Sequence, residues 1–130
     1  MPGNSGTPQA RKLGLKPGLR VSFHAAPAGW ALDGPPEIEL VADGPVDVFI
    51  AFVRSAAELE AAAWGERIFP TGALWIAWPR RAGGHTSDVT DSVVREAVLP
   101  LGLVDVKVAA IDDDWSGLKI VWRLTERGRR

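Results

Sequence analysis

The sequence predicts an α/β domain of three layers, in which helices cover both faces of a mostly parallel sheet of about six strands that ends in an antiparallel hairpin. Three observations support this fold class. Residues 46–53 and 73–78 are nearly all apolar, as expected for strands covered on both faces. Helical patterns follow both segments. The strands predicted at 103–111 and 118–124 are joined by only six residues, too few for a parallel crossover.

The chain is expected to form one domain over residues 7–125, between a disordered segment at 1–6 and a basic tail at 126–130. A short helix is predicted over residues 8–13 by its terminal residues, Thr7, Pro8 and Gly14. Residues 20–25 then predict the first strand of the sheet.

The connection after the first strand is rich in residues that break helices. Residues 26–36 contain three prolines and two glycines, which leave room for at most one helical turn. Residues 37–41 predict a short strand, and only about four residues separate it from the strand at 46–53, too few for a normal parallel crossover. We therefore expect a very short edge strand with an extended return; the alternative is an antiparallel strand.

Two capping patterns predict the longer helices. Ser55 and Glu58 match the capping box S-x-x-E, which predicts a helix over residues 55–66. Thr90 is expected to cap a second helix that runs to about residue 99 and has one apolar face. Alternate residues of the strand at 73–78 are predicted to face opposite sides of the sheet, and both sets are apolar.

The composition excludes several classes of function. A formal net charge of −1 argues against nucleic acid as the main partner. The absence of cysteine excludes disulfides, thiolate metal ligands and a cysteine nucleophile. No apolar run approaches the roughly 20 residues of a membrane span, and no signal-peptide pattern is present, so we expect a cytoplasmic protein without a membrane partner. Because few helices are available to cover the sheet, we also expect exposed apolar surface and a homodimer.

Several segments resemble those of class I methyltransferases. The run L-G-L-K-P-G-L-R-V at 13–21 resembles the lead into the first strand of that fold. Residues 46–53, the S-x-x-E pattern and residues 72–80 resemble its fourth strand, the following helix and its fifth strand. Residues 103–123 resemble its sixth strand and reversed seventh strand. The resemblance implies a Rossmann-like, methyltransferase-like and truncated fold.

A closer resemblance is to a family of small bacterial proteins of unknown function. It lies in the segments 5–18, 74–84, 90–96, 99–108 and 112–121, and so covers nearly the whole chain. This resemblance implies the same fold and supplies no activity.

The first loop departs from the methyltransferase pattern. In that family the loop reads as an acidic residue followed by G-x-G-x-G, whereas residues 24–29 read H-A-A-P-A-G. The family's acidic residue at the end of the second strand holds the ribose, and the nearest counterpart here is Asp43, in a Gly-Pro turn. We therefore predict no cofactor, because the motif for adenosylmethionine is absent.

Ligands of open α/β sheets bind beyond the carboxyl ends of the strands. The loops predicted there supply the candidate ligand-binding residues: Ala26, Gly29, Trp30, Arg54, Arg80, Arg81, His85, Asp114 and Trp115. The arginines could hold a small anionic ligand, and Trp30 could stack on a planar one. Trp115 could do the same, although we favour a structural role in the hairpin.

No catalytic residue is assigned. His24, near the end of the first strand, is a candidate for acid–base chemistry, and its alternative is a hydrogen-bonded core histidine. No metal site is predicted either, since neighbouring aspartates at 112–114 would point to opposite faces.

Three functions are compatible with these features. We favour a non-catalytic or vestigial methyltransferase-like domain that binds a small ligand or a protein partner, and so lean against an enzyme. The first alternative is an adenosylmethionine-dependent methyltransferase with an atypical cofactor loop. The second is a regulatory module that binds nucleotides or other anions.

Overall fold

The computed structural model describes residues 8–130. The segment predicted to be disordered, 1–6, and the predicted cap Thr7 lie outside these residues. The described residues form a sheet of six strands: β1 (Arg20–His24), β2 (Glu39–Leu40), β3 (Val46–Phe52), β4 (Ile68–Pro79), β5 (Leu103–Ala110) and β6 (Trp115–Trp122). The order of the strands across the sheet is β2-β1-β3-β4-β6-β5.

The strand directions confirm the predicted fold class. β2, β1, β3 and β4 are parallel, β6 is antiparallel to β4, and β5 and β6 form the expected antiparallel hairpin. β2 is the very short edge strand that we expected, parallel to β1, so the antiparallel alternative is wrong. A short return to β3 suffices because β2 pairs only with the first residues of β1, Arg20 and Val21.

Four short α-helices accompany the sheet in the described residues: α1 (Gln9–Lys12), α2 (Ala61–Gly65), α3 (Asp91–Val98) and α4 (Leu124–Arg127). Thr90 caps α3 as predicted, because its Oγ1 accepts a hydrogen bond of 3.2 Å from the Val93 N–H. α1 ends at Lys12, one residue before the predicted end, and Gly14 follows the C-cap residue Leu13 as predicted. The φ of +74° at Gly14 lets the Leu15 N–H return to the Ala10 carbonyl at 2.9 Å.

The helix predicted over 55–66 is wrong as a single element. The Ser55 side chain makes no capping hydrogen bond, and the chain forms one 3-10 turn, Ala56–Glu58, before α2. The groups that a capping box would use are bonded differently: the Glu58 N–H donates to the Ser55 carbonyl at 3.0 Å. The Ala56 N–H donates to Asp88 Oδ1 at 2.8 Å, and Glu58 Oε1 accepts from the Arg54 N–H at 2.9 Å. Tertiary contacts therefore override the local capping signal.

Two strands begin earlier than predicted. β4 begins at Ile68 rather than at 73, and a register shift between Val46 and Val48 accommodates the added residues. β6 begins at Trp115 rather than at 118, so the connection of the hairpin is shorter than expected. After β6 comes α4, which occupies part of the stretch predicted as a basic tail. Near its end the Arg130 guanidinium lies 3.5 Å from the centroid of the Trp122 ring.

The two faces of the sheet carry separate apolar cores. On the helix-covered face, α2 and α3 pack against one set of β4 side chains, Leu74, Ile76 and Trp78. On the loop-covered face, α1 and the connection at 25–38 pack against the alternate set, which includes Trp75 and Ala77. This alternation confirms the prediction for the strand at 73–78. The loop-covered face is also the one that contains the candidate site.

The helix-covered face is also tied by an ionic cluster. Arg95 of α3 donates from Nε to Asp105 Oδ2 of β5 at 3.0 Å, and Asp91 lies 3.4 Å from its Nη2. The hydrogen bond from Arg95 to Asp105 raises the pKa of Arg95, so this guanidinium stays charged. The cluster fixes α3 across the hairpin.

Candidate functional site

The carboxyl ends of β1, β3 and β4 meet the start of β6 at one side of the molecule, here named the carboxyl edge. Pro79, the last residue of β4, is level with Trp115, the first residue of β6. The Arg80 N–H donates to the Asp114 carbonyl at 2.7 Å, and Ser87 Oγ donates to the Arg54 carbonyl at 2.8 Å. These bonds bring together the loops that the sequence predicts at this edge.

The indole of Trp30 packs over β1 and β3 on the loop-covered face. Its ring centroid lies 5.7 Å from that of Phe23 and 4.9 Å from that of Phe52. Phe52 meets Trp115 edge-on at 5.0 Å, so four aromatic rings form a continuous row. A planar ligand could stack over β1 at this point only by displacing the indole.

Asp112 holds this arrangement in place. Its Oδ2 accepts a hydrogen bond of 2.9 Å from Trp30 Nε1. Its Oδ1 accepts from the backbone N–H groups of Asp114 and Trp115, at 2.8 and 2.9 Å. The carboxylate thus closes its own turn and orients the indole. Within residues 8–130, no group of three His, Asp or Glu side chains is arranged to hold a metal ion.

The loop after β1 contains two left-handed backbone positions. Ala25 has a φ of +57° and is the one non-glycine residue with positive φ among the described residues. Gly29 has a φ of +79°. A left-handed conformation costs an alanine about 1–2 kcal/mol and costs a glycine almost nothing. The loop therefore has the backbone shape of a glycine turn without the glycine at its first position.

A cavity of about 600 Å³, here named the large cavity, lies between the connection at 26–38 and strands β1 and β2. The prolines of the connection prevent a helix, so the chain crosses the sheet as an open loop and leaves this volume uncovered. The cavity walls are apolar apart from Glu37, and they are formed chiefly by Phe23, Trp30, Leu32, Pro36, Ile38 and Leu40.

A smaller cavity of about 320 Å³ lies on the helix-covered side of the carboxyl edge. Arg81 and His85 line it together with Trp78 and Ser87. His85 Nε2 lies 2.9 Å from Asp114 Oδ1, and both side chains are exposed. This pair therefore connects the loop after β4 to the turn before β6.

The predicted ligand-binding residues are divided between these two places. Ala26 and Trp30 line the large cavity, while Arg81 and His85 line the smaller one. Neither of these two cavities is lined by the other five residues, which are Gly29, Arg54, Arg80, Asp114 and Trp115. Trp115 is buried, and the Arg54 guanidinium lies 5.3 Å from its ring centroid. One common cleft for all nine residues is not formed.

His24 is separated from Trp30 by the sheet. Phe23 faces Trp30, and His24, the next residue along the strand, faces the other side, where its ring centroid lies 5.2 Å from that of Trp64. The side chain is exposed, so the alternative of a core histidine is wrong. Its candidate role in acid–base chemistry has no connection with the large cavity.

Most of the large cavity, and the hydrogen bond that Asp112 accepts from Trp30, were not predicted from the sequence. One available signal for the cavity is the combination of Pro27, Pro35 and Pro36 with apolar residues between and after them, since such a loop must pack without a helix. The signal for Asp112 is its position at the start of a tight turn, where an aspartate commonly accepts the N–H two residues on. Its contact with Trp30 joins residues 82 apart in sequence and has no local signal.

The chain matches no protein-family model and no curated protein. It is similar in structure to a ribosomal protein L11 methylase from Lactobacillus delbrueckii subsp. bulgaricus, with a TM-score of 0.55 and 15% sequence identity over 88% of this chain and 75% of that chain. It is also similar to the 23S rRNA methyltransferase ErmE, with a TM-score of 0.45 and 15% identity over 89% of this chain and 66% of that chain. The likeness to the L11 methylase, with its TM-score of 0.55, shows that the fold is methyltransferase-like and Rossmann-like, as the resemblance in sequence implies. None of the helices among residues 8–130 has the length and apolarity needed to cross a membrane.

Proposed function

We propose that this chain is a non-catalytic, methyltransferase-like domain that binds a small ligand or a protein partner and does not transfer a methyl group. The proposal depends chiefly on the position of Trp30. Its indole packs on Phe23 and Phe52 and donates to Asp112. In open α/β proteins the crevice beyond the strand ends receives the ligand, and here the chain's own side chain occupies the part nearest β1.

The backbone of the first loop supports the same proposal. Close approach to the sugar or phosphate of a cofactor requires glycines, whose missing side chains leave room for the ligand. Residues 25–29 read A-A-P-A-G, so that Gly29 is the sole glycine of the loop. Three alanine methyl groups and a proline ring therefore stand where a cofactor loop presents bare backbone.

Three ionisable groups of the carboxyl edge are engaged with other parts of the chain. His85 contacts Asp114, the Arg54 guanidinium lies over the Trp115 ring, and Asp112 accepts three hydrogen bonds. Acid–base catalysis needs a proton-transfer group within hydrogen-bonding reach of the substrate. The large cavity offers Glu37 as the one ionisable side chain among its described lining residues, which favours binding over catalysis.

Calorimetric titration of the full chain with adenosylmethionine tests the proposal. We expect no heat of binding at millimolar ligand, whereas a Kd in the micromolar range would contradict a non-catalytic domain. The matched variant is Trp30→Ala, with folding checked by circular dichroism. If only Trp30→Ala binds adenosylmethionine, the indole is what prevents binding in the wild type. If neither protein binds it, the backbone of the first loop prevents binding.

A second candidate, an adenosylmethionine-dependent methyltransferase with an atypical loop, is favoured by the left-handed backbone of Ala25 and Gly29. The similar ribosomal protein L11 methylase is a further reason to test it. The assay is transfer of a labelled methyl group to cell-extract protein and RNA, with Ala25→Gly beside the wild type. A labelled product whose yield rises in Ala25→Gly would favour this candidate, and an absence of label in both would count against it.

A further inference from the structure

The large cavity has the size and the walls of a site for a small organic molecule. Its volume of about 600 Å³ falls within the range of roughly 300–1,000 Å³ that is usual for such sites. Its lining includes two aromatic rings in contact with each other, Phe23 and Trp30, together with the apolar side chains of Pro36 and Leu40. Leu40 is 66% exposed, so its side chain is accessible to a ligand that enters the cavity.

The polar groups of the cavity exclude an anionic ligand. The indole N–H of Trp30 already donates to Asp112, so that the ring presents carbon surface to the cavity. Among the described residues that line the cavity there is no Lys, Arg, His, Ser or Thr side chain. A phosphate or carboxylate would therefore lose its hydration without gaining a side-chain donor, and it would also meet a negative charge.

That negative charge belongs to Glu37. Its backbone carbonyl accepts a hydrogen bond of 2.8 Å from the Gly18 N–H, which fixes the residue at the cavity rim. Over residues 8–130 its carboxylate takes part in no ion pair, whereas the neighbouring Glu39 is paired with Arg20 at 3.2 Å. Glu37 lines the same cavity as the rings of Phe23 and Trp30. A carboxylate and an aromatic ring quadrupole both favour positive charge, so this lining favours an organic cation.

We propose that the large cavity binds a planar apolar molecule that carries an ammonium group, with the apolar part against Trp30 and Phe23 and the ammonium at Glu37. The proposal deepens the proposed function and rests on it in one respect, that the domain acts by binding. The event is reversible association, with no covalent bond made or broken. The apolar walls provide the affinity, and Glu37 provides the selectivity for a cation.

Three probes with the same ring and different charge test this assignment: 2-(2-naphthyl)ethylamine, 2-(2-naphthyl)ethanol and 2-naphthylacetate. Calorimetry gives each Kd, and ¹H–¹⁵N spectra of the tryptophan indoles locate the binding. We expect the amine to bind about fivefold more tightly than the alcohol, as for a cation at a partly exposed aromatic site, and the acetate to bind most weakly. Ligand binding should shift the Trp30 indole signal.

Two variants separate the role of Glu37 from general acidity. Glu37→Gln should bring the Kd of the amine to that of the alcohol and leave the alcohol unchanged. Glu39→Gln is the matched control: Glu39 lies two residues further along the chain, on β2 and outside the cavity lining, and this variant should keep the preference for the amine. Leu40→Lys, at an exposed position that tolerates a polar residue, should weaken the amine more than the alcohol.

Several results would overturn the proposal. They are the absence of amine binding at millimolar concentration, equal binding of all three probes, and a preference for the amine that survives Glu37→Gln. Adenosylmethionine binding decides the proposed function separately. If the domain binds adenosylmethionine and also prefers the amine, the proposed function is wrong and the assignment of the cavity to a cationic ligand stands. If it binds neither adenosylmethionine nor the amine, the proposed function stands and the assignment of the cavity is wrong.

Discussion

The two faces of the sheet differ in what covers them. The helix-covered face is closed by α2 and α3, and its core extends without interruption from Trp64 to Trp122. The loop-covered face is closed by the four-residue α1, by a proline-rich connection and by the row of aromatic rings. Both faces bury large side chains of β4, but the large cavity lies on the second.

The difference shows how a connection decides between a closed core and a binding site. A helix that crosses a sheet presents a continuous apolar stripe and leaves little volume. The connection at 26–38 cannot form that stripe, so single side chains such as Trp30 and Leu32 do the covering. The volume between these side chains is the large cavity.

The largest expected effect compares two tryptophans on opposite faces of β4. Trp75 on the loop-covered face is fully buried and donates from Nε1 to the Leu13 carbonyl at 3.1 Å. We expect Trp75→Ala to lower the free energy of unfolding in urea by about 3–5 kcal/mol. Trp78→Ala, at the 8% exposed partner on the helix-covered face, should cost less. The reverse order would contradict the view that the loop-covered face is a packed core.

A smaller effect tests the bond that holds the aromatic row. In a double-mutant cycle of Trp30→Phe and Asp112→Asn, we expect a coupling energy of about 1 kcal/mol, because each change removes the hydrogen bond between the same two side chains. Urea unfolding of the four proteins measures it. The control is Asp113→Asn, an exposed neighbour, which should change stability by less than about 0.5 kcal/mol. A coupling near zero would mean that stacking alone positions the indole.

On the helix-covered face, two residues predicted to cap helices can be compared. The expected effect on stability is similar in size to the coupling energy above. Thr90→Ala should cost about 1 kcal/mol, because the Thr90 hydroxyl caps α3. Ser55→Ala should cost less than about 0.5 kcal/mol, since the Ser55 side chain makes no capping bond. Thermal and urea unfolding of both variants give the values. Equal losses of stability at the two positions would indicate that Ser55 also caps a helix, contrary to the structure.

The smallest expected effect concerns the loop after β1. Ala25→Gly should be neutral or should stabilise the protein by up to about 1 kcal/mol, because removal of left-handed strain offsets the entropy of a glycine. Ala26→Gly is the matched control and should destabilise by about 0.5 kcal/mol, since Ala26 has no positive φ. Destabilisation by Ala25→Gly as large as that of Ala26→Gly would show that the alanine methyl group packs usefully in the loop.

Most of the sheet could be predicted from local pattern. The apolar runs around Phe49 and Trp75 predict two central strands, because a strand covered on both faces has few polar residues. The helix predicted at 55–66 is interrupted because the backbone of Leu59 is extended, and Asp88, more than 30 residues away, accepts from the Ala56 N–H of the preceding turn. A capping box is a local signal, and a distant side chain is able to overrule it.

The candidate site was predicted less completely than the fold. Ala26 and Trp30 were placed in a loop where a ligand could bind, and the structure puts both on the large cavity. Glu37 and Leu40 were assigned only to a short strand, since nothing near them in sequence indicates which side chains face them. The homodimer stays a prediction, with exposed Val106 and Val108 on the edge strand β5 as the surface to test.

The amino-acid sequence by itself determined the number and direction of most strands and the lack of a glycine-rich cofactor loop. Those features depend on residues close together in the chain: the alternation of apolar side chains, the lengths of connections and the restrictions of proline. Only the tertiary structure decided that Trp30 packs over β1, that Asp112 holds it, and that a cavity forms beside Glu37. These features depend on contacts between distant segments, which follow from how the whole chain fills the space around the sheet.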